Sequence, residues 1–138
     1  MHPWREIGDR VFVRRYRFLD QTIGLVVGER GVLVVDTRSS PAQADELRRE
    51  IGAVTPLPVV AVVTTHRHWD HAWGNVRFAE AEIWGHERCA ADLRALTAAD
   101  LAEQAAELAG ARPELSPDLP ELLALGLDRK STRLNSSH

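Results

Sequence analysis

The chain has 138 residues, of which 44% are hydrophobic and 27% are charged, as is typical of a soluble globular protein. Its 17 basic and 20 acidic side chains give a net charge of −3, which argues against a nucleic-acid partner or a membrane surface. The single cysteine excludes an intrachain disulfide, and the N-terminus has no apolar secretory core, so we expect a cytoplasmic protein.

The first forty residues predict three strands. Residues 11–18, 22–27 and 31–35 are rich in β-branched, aromatic and other apolar side chains. The sequence Gly28-Glu29-Arg30-Gly31 separates the last two runs, as a tight hairpin connection would. Because these two runs are apolar at successive positions, we expect the sheet to be covered on both faces.

A helix is predicted to follow the third strand. Ser40 can cap it, Pro41 suits its first position, and Gln43 completes the spacing of a capping box. Gly52 follows as a stop. The apolar side chains of this segment recur on one helical face, at Ala44, Leu47 and Ile51.

Residues 58–64 form a nearly continuous apolar run, which predicts a buried parallel strand. Strand, helix and strand make a βαβ unit, for which a right-handed crossover is expected. A histidine-rich run begins where this strand ends. Functional sites of open α/β sheets form at the carboxyl ends of strands, so this run is the first candidate site.

The second half of the chain gives weaker signals. Residues 81–85 predict a short strand, and the stripe of Cys89, Leu93 and Leu96 predicts a helix after it. Thr97 can cap a further helix, and residues 121–125 predict one more helical turn. The inward face of the helix after Thr97 would carry Leu101, Ala105 and Leu108.

Four metal-binding side chains lie within six residues, namely His66, His68, Asp70 and His71. Imidazole and carboxylate are ligands that zinc prefers. His66 and His68 can project to the same side of a loop. A turn into a helix can direct Asp70 and His71 to a second point, so two metals about 3.5–4 Å apart could be held. The alternative is a polar surface turn that happens to be rich in histidine.

The run Thr65-His66-Arg67-His68-Trp69-Asp70-His71-Ala72-Trp73-Gly74-Asn75 resembles the HxHxDH signature of the metallo-β-lactamase superfamily. The context agrees over most of residues 4–110, including Leu33-Val34-Val35-Asp36-Thr37 at the end of an early strand. The resemblance implies an α/β fold, the N-terminal half of an αβ/βα sandwich of two sheets with metals at one edge.

The resemblance also implies roles for these residues. His66 and His68 would bind one metal, and Asp70 and His71 a second. The metals would be two Zn²⁺ ions, or iron. Asp70 would also be catalytic, orienting the metal-activated water that attacks a small-molecule substrate.

Five further residues have two interpretations each. Asp36 either holds the ligand loop by hydrogen bonds without itself binding metal or is an ordinary turn residue. His86 is interpreted as a capping or packing residue, and Cys89 as a small core residue, rather than as a metal pair. Trp69 and Trp73 either line a substrate pocket or pack around the metal loop.

The last eleven residues, 128–138, differ sharply in composition from the rest and resemble a translated sequencing-library adapter. We therefore expect a truncated domain over residues 1–127 and a non-native tail beyond it. The superfamily takes further ligands from its C-terminal half: a His, a bridging Asp and a final His. After His86 the only histidine is His138, within that tail, and Asp92, Asp100 and Asp118 have no neighbouring histidine.

Three functions follow from this reading. The first is a dinuclear zinc hydrolase of ester, thioester or amide-like bonds, with little activity in the 138-residue form. The second is an iron-dependent oxidoreductase of the same fold, of the persulfide dioxygenase type. The third is a non-catalytic fragment. His68 disfavours the flavodiiron branch, which tends to carry Glu there. Neither the substrate nor the oligomeric state follows from the sequence.

Overall fold

Seven strands in the described part of the chain form one sheet, in the order β1 to β7. The computed structural model describes residues 3–97, 99, 100, 103, 106 and 110, and the backbone of residues 135–137. The strands are β1 Arg5–Gly8, β2 Val11–Arg15, β3 Thr22–Val27, β4 Val32–Val35, β5 Val59–Thr64, β6 Glu82–His86 and β7 Asn135–Ser137. The helices are α1 Pro41–Gly52, α2 Trp69–Ala72 and α3 Glu87–Ala95, with 3-10 segments at Phe18–Asp20 and Trp73–Phe78.

The direction of pairing changes at β4. Strands β1 to β4 form an antiparallel meander, whereas β4, β5, β6 and β7 are parallel. The predicted parallel pairing across α1 is confirmed, because β4 pairs directly with β5. The mixed α/β class is confirmed as well. Parallel pairing puts the carboxyl ends of β4 and β5 at the same edge of the sheet.

Helix α1 begins as predicted. The Ser40 hydroxyl accepts a hydrogen bond from the Gln43 N–H at 3.2 Å, and Pro41 occupies the first turn. The side chain of Gln43 accepts from the N–H of Ser39, one residue before the cap, where a standard capping box would use the cap itself. The entry to α1 is therefore fixed from both sides.

One apolar cluster joins the sheet to the helices. Its fully buried members include Ile23, Leu25, Val32, Val34 and Val62 from the strands and Leu47, Phe78 and Leu93 from the helical segments. The expectation that the sheet is covered on both faces is wrong for the described residues. Val26 and Trp84 alternate with buried neighbours and are 39% and 38% exposed. Nothing among the described helices packs on their side of the sheet closely enough to bury them.

One predicted boundary needs correction, and one strand was missed. The strand predicted over residues 11–18 ends at Arg15, because the chain then folds back and the Tyr16 N–H donates to the carbonyl of Gln21. Leu19 and Asp20 have positive φ in this turn. Strand β1 was not predicted: all four of its residues are exposed, so no apolar alternation marks it.

The C-terminal signals are partly described. The predicted cap at Thr97 is confirmed, since its hydroxyl accepts from the Asp100 N–H and Asp100 accepts from the Thr97 N–H. The face carrying Leu101, Ala105 and Leu108, the turn at 121–125 and Asp118 lie outside the described residues. In the described part of the chain, no helix combines the length and hydropathy needed to cross a membrane.

Strand β7 lies in the tail predicted to be non-native. It pairs with β6 through Trp84 and Asn135, Gly85 and Ser136, and His86 and Ser137. Pairing at an exposed sheet edge uses backbone groups that every sequence carries. The foreign origin of this tail therefore stays a prediction.

Gly74 offers a direct test of how the histidine-rich segment packs onto the sheet. A Cβ atom on Gly74 would lie 1.9 Å from the carbonyl oxygen of Thr37 and 3.0 Å from the Cβ of Ala44. We expect Gly74→Ala to lower the free energy of unfolding by about 2–3 kcal/mol, because one segment must move away from the other. Urea denaturation measures this.

The control is Gly52→Ala at the end of α1, where an added Cβ meets nothing within 4 Å. This variant should keep its stability or gain about 0.5–1 kcal/mol, since alanine favours helix. Equal urea midpoints for the two variants would show that the close approach at Gly74 is not a constraint.

Candidate metal centre

The histidine-rich run leaves the sheet at the carboxyl end of β5. Thr65 to Arg67 form a loop, His68 is the N-cap of the short helix α2, and Asp70 and His71 lie inside that helix. Asp36 follows β4 directly, and its N–H donates to the carbonyl of Val63 at 2.9 Å. Two strand ends thus bring residues some thirty positions apart to one edge.

The histidine rings converge. The ring centroids of His66 and His68 are 4.7 Å apart, and those of His66 and His71 are 4.3 Å apart. The side chains of Asp70 and His71 are each 20% exposed, and an Asp70 carboxylate oxygen lies 3.4 Å from Nε2 of His71. The four side chains therefore form one cluster at the sheet edge, and the partly accessible space between them is the pocket.

Asp36 is the buried hub of this cluster. Its Oδ1 accepts from the Thr65 backbone N–H at 2.8 Å, and the Thr65 hydroxyl donates to Oδ2 at 2.8 Å. The same Oδ2 lies 2.7 Å from Nδ1 of His71, which donates when that nitrogen carries hydrogen. Asp36 is thereby fully engaged, and its contacts determine how His71 is turned.

Thr65 extends this order to His66. Its hydroxyl lies 2.8 Å from Nδ1 of His66. Because that hydroxyl gives its hydrogen to Asp36, its lone pair accepts from Nδ1 of His66. His66 and His71 are thus both held through Nδ1, and Nε2 of His71 lies beside the Asp70 carboxylate. One carboxylate orients two histidines, one directly and one through a hydroxyl.

The electrostatics of His71 and Asp70 are coupled. The hydrogen bond that His71 donates to Asp36, followed by the one that it donates to Asp70, raises the pKa of His71 from 6.5 to about 9. Burial alone would raise the pKa of Asp70, but the hydrogen bond and charge of His71 outweigh it and lower that pKa below its usual value. Two carboxylates therefore stabilise a positive charge at His71.

His66 responds in the opposite direction. Burial first, and then the neighbouring His71 and His68, lower the pKa of His66 below its usual value. A neutral imidazole with a free Nε2 is the form that binds metal. The pocket thus combines His66, whose imidazole resists protonation, with two carboxylates beside His71 that attract a cation.

Asp36, His66 and His71 place possible ligand atoms within 4.8 Å of one another. This trio differs from the predicted ligand set, which contains His68 and Asp70 and assigns Asp36 a supporting place. Asp36 is 3% exposed and already accepts three hydrogen bonds. The hydrogen bonds of Asp36 thus hold Thr65 and His71, whereas the side chains of Asp70 and His68 are more accessible.

Sequence reasoning missed several residues that hold the loop. The Thr37 N–H donates to the His71 carbonyl at 3.0 Å, and the Thr37 hydroxyl bonds Asn75, which in turn bonds Thr64. Gln21 donates to the Asp70 carbonyl at 2.7 Å. Thr65 and Asn75 lie within the recognised motif and could have been singled out, whereas no pattern marks Gln21.

The remaining candidates belong to the packing of the fold. The Nδ1 of His86 accepts from the Arg88 N–H and caps α3, and Cys89 is buried in the core, as predicted for both. Burial raises the pKa of the Cys89 thiol. Trp73 is buried and Trp69 packs partly against the same core, so packing is the interpretation that holds for this pair.

Comparison with protein families gives a match over most of the chain. The family described as the metallo-beta-lactamase superfamily matches residues 16–133. No relative among curated protein sequences matches.

Solved structures share the fold. A HARLDQ-motif mutant of the metallo-beta-lactamase from Cronobacter sakazakii is 20% identical with a TM-score of 0.57, covering 67% of this chain and 38% of that one. The Rm3 metallo-beta-lactamase is 20% identical with a TM-score of 0.56, covering 67% and 35%. A B3 metallo-beta-lactamase with an active-site glutamic acid is 18% identical with a TM-score of 0.57, covering 68% and 36%. The chain thus spans well under half the length of these proteins.

The raised pKa of His71 predicts a pH-dependent stability in the presence of a chelator. The protonated ring stabilises the fold fully below its ordinary pKa of 6.5, and this contribution is lost as the pH rises through about 9. Urea denaturation between pH 6 and pH 9.5 should show a falling midpoint. His71→Gln should flatten the profile in this window. An equal slope in both proteins would contradict the assigned ion pair.

Proposed function

The chain belongs to the metallo-beta-lactamase superfamily, and on this basis we propose that its parent protein is a metal-dependent hydrolase of small molecules. The bond cleaved would be an ester, a thioester or an amide-like bond. The observation that carries the proposal is the convergence of three imidazoles and Asp70 on one pocket, with two of the rings oriented through Asp36.

The donor set fits a metal of the zinc type. His66 and His71 use Nδ1 for hydrogen bonds to Thr65 and Asp36, so Nε2 is the nitrogen that each ring would offer to a metal. Nε2 of His71 lies 3.4 Å from an Asp70 carboxylate oxygen, so a metal there would also be close to Asp70. A second hydrogen-bonded partner of this kind is usual for metal-bound histidine, because it fixes the tautomer and the ring plane. We propose His66 and His68 as one ligand pair and Asp70 and His71 as the other.

The protein residues would supply order and charge. Bound zinc lowers the pKa of water and polarises a substrate oxygen. Asp36 and Thr65 hold His66 and His71 in place before substrate arrives. Asp70 lies at the pocket with a lowered pKa, so its carboxylate is ionised at neutral pH and can accept a hydrogen bond from the attacking water.

Metal loading also exchanges one cation for another. Without metal, the two carboxylates beside His71 hold a proton on that ring. A metal at Nε2 must displace this proton, so metal binding should strengthen as the pH rises towards 9. Metal analysis of the intact parent separates the zinc hydrolase from the iron-dependent oxidoreductase.

The first test concerns catalysis. We expect the 138-residue chain with added Zn²⁺ to hydrolyse p-nitrophenyl acetate no faster than Zn²⁺ alone, because the further ligands that the superfamily uses have no matching histidine after His86 except His138. The parent, expressed from a source gene continued past the codon for Leu127, should show chelator-sensitive turnover on an ester, thioester, amide and β-lactam panel. A continued parent that is inactive on every substrate would count against the hydrolase.

The second test concerns Thr65. Thr65→Val keeps the shape of the side chain and removes the hydroxyl that joins Asp36 to His66. We expect Zn²⁺ affinity, measured by competition with a chromophoric chelator, to fall about 10-fold.

Thr65→Ser is the matched control, since it retains the hydroxyl and should bind Zn²⁺ within about 2-fold of the unsubstituted 138-residue chain. Equal affinities for the Val and Ser variants would mean that the hydroxyl does not orient His66.

A further inference from the structure

Gln21 is a buried side chain whose amide contacts the metal loop. It is 1% exposed and lies in the turn between β2 and β3, far from the histidine-rich run in sequence. Its Nε2 donates to the Asp70 carbonyl at 2.7 Å and to the Ser39 hydroxyl at 2.7 Å. Both amide hydrogens are thus used, and one of them holds the backbone of a candidate metal ligand.

Arg38 fixes which way this amide is turned. The Nε–H of Arg38 donates to Oε1 of Gln21 at 3.2 Å. Arginine has no acceptor, so the amide oxygen must face Arg38 and the amide nitrogen must face Asp70. A flipped amide would place two donors together and an oxygen against the Asp70 carbonyl. The orientation of Gln21 therefore has one solution in this environment.

Arg38 is itself buried and held by an ion pair and an aromatic ring. It is 4% exposed, pairs with Glu46 at 2.8 Å, and lies 3.6 Å from the centroid of the Tyr16 ring. Its φ of 70° is in the left-handed region, which favours glycine. A buried arginine in this conformation is retained by its side-chain contacts rather than by its backbone.

We propose that Gln21 is a positioning residue for Asp70, with its amide set by Arg38. Gln21 and Arg38 hold the backbone of α2 at the Asp70 carbonyl, so that the Asp70 carboxylate faces His71 in the pocket. This inference rests on the proposed metal function, and it adds two residues outside the HxHxDH run to that site.

The experiment is a Co²⁺ titration of the 138-residue chain, followed by visible absorption, which reports the ligands and geometry around the ion. Gln21→Glu keeps the size and the acceptor for Arg38 but replaces the donor to the Asp70 carbonyl with an oxygen. We expect Co²⁺ affinity to fall about 10-fold and the visible bands to change. The midpoint of urea unfolding in chelator identifies any general loss of stability.

Two controls separate positioning from stability. Gln43→Glu makes the same chemical change at the start of α1, where the side chain accepts from the Ser39 N–H and keeps that acceptor as Glu, so affinity and spectrum should be unchanged. Leu47→Ala empties a buried position on α1 and lowers the urea midpoint. The Co²⁺ spectrum of Leu47→Ala should match that of the unsubstituted 138-residue chain. If Gln21 had a purely structural role, the Gln21→Glu and Leu47→Ala variants would change the spectrum to the same extent.

If Gln21→Glu fails to fold, Arg38→Lys tests the same arrangement. Lysine keeps a positive charge near Glu46 but lacks the guanidinium Nε–H that orients the amide. A change in the visible bands of Arg38→Lys relative to the unsubstituted 138-residue chain supports the proposal. Suppose that the unsubstituted 138-residue chain binds Co²⁺ and that the Gln21 and Arg38 variants give the same spectrum. This result overturns the inference about Gln21 and leaves the proposed metal function standing. If the unsubstituted 138-residue chain does not bind Co²⁺, both the inference about Gln21 and the proposed metal function are overturned.

Discussion

The carboxylate of Asp36 is buried at the edge of the sheet, and the arrangement around it depends on its being satisfied there. A buried carboxylate that loses a hydrogen-bond partner costs about 1–3 kcal/mol or more, so its partners must be supplied reliably. Thr65 supplies two of them and His71 the third. Both partners belong to the segment that follows β5. Satisfying this one charge therefore sets the path of the chain as it leaves the sheet.

Parallel pairing makes that arrangement possible. Strands β4 and β5 run in the same direction, so Asp36 and Thr65 emerge side by side although α1 separates them in sequence. The close approach of Gly74 to Thr37 then draws the chain after α2 back against the end of β4. The site is assembled from strand ends and short turns, which are rigid because the strands behind them are paired on both sides.

Local signals in the sequence predicted the parts of the molecule that depend on local chemistry. The caps at Ser40 and Thr97 follow from side chains that satisfy free N–H groups close by in sequence. Strands β3 to β6 follow from apolar runs. The histidine-rich run identified the candidate site because few other chemistries require such a spacing, and its ligand roles stay predictions.

Other features depend on contacts across the fold, which the sequence does not display. From the sequence, Gln21 resembles an ordinary turn residue. Its contact with Asp70 exists because the fold brings the turn after β2 against α2. Strand β1 is exposed at every position and carries no pattern. The open face at Val26 and Trp84 was mistaken for a covered one because apolar residues occupy it regardless of what packs there.

The left-handed backbone at position 38 has a consequence for how this site varies among relatives. Glycine adopts that conformation without strain, so substitution towards glycine is easy wherever the side chain of Arg38 has no task. An amide at position 21 without its arginine would be free to flip. Positions 21 and 38 should therefore change together, with glycine at 38 accompanied by a residue at 21 that no longer contacts the metal loop.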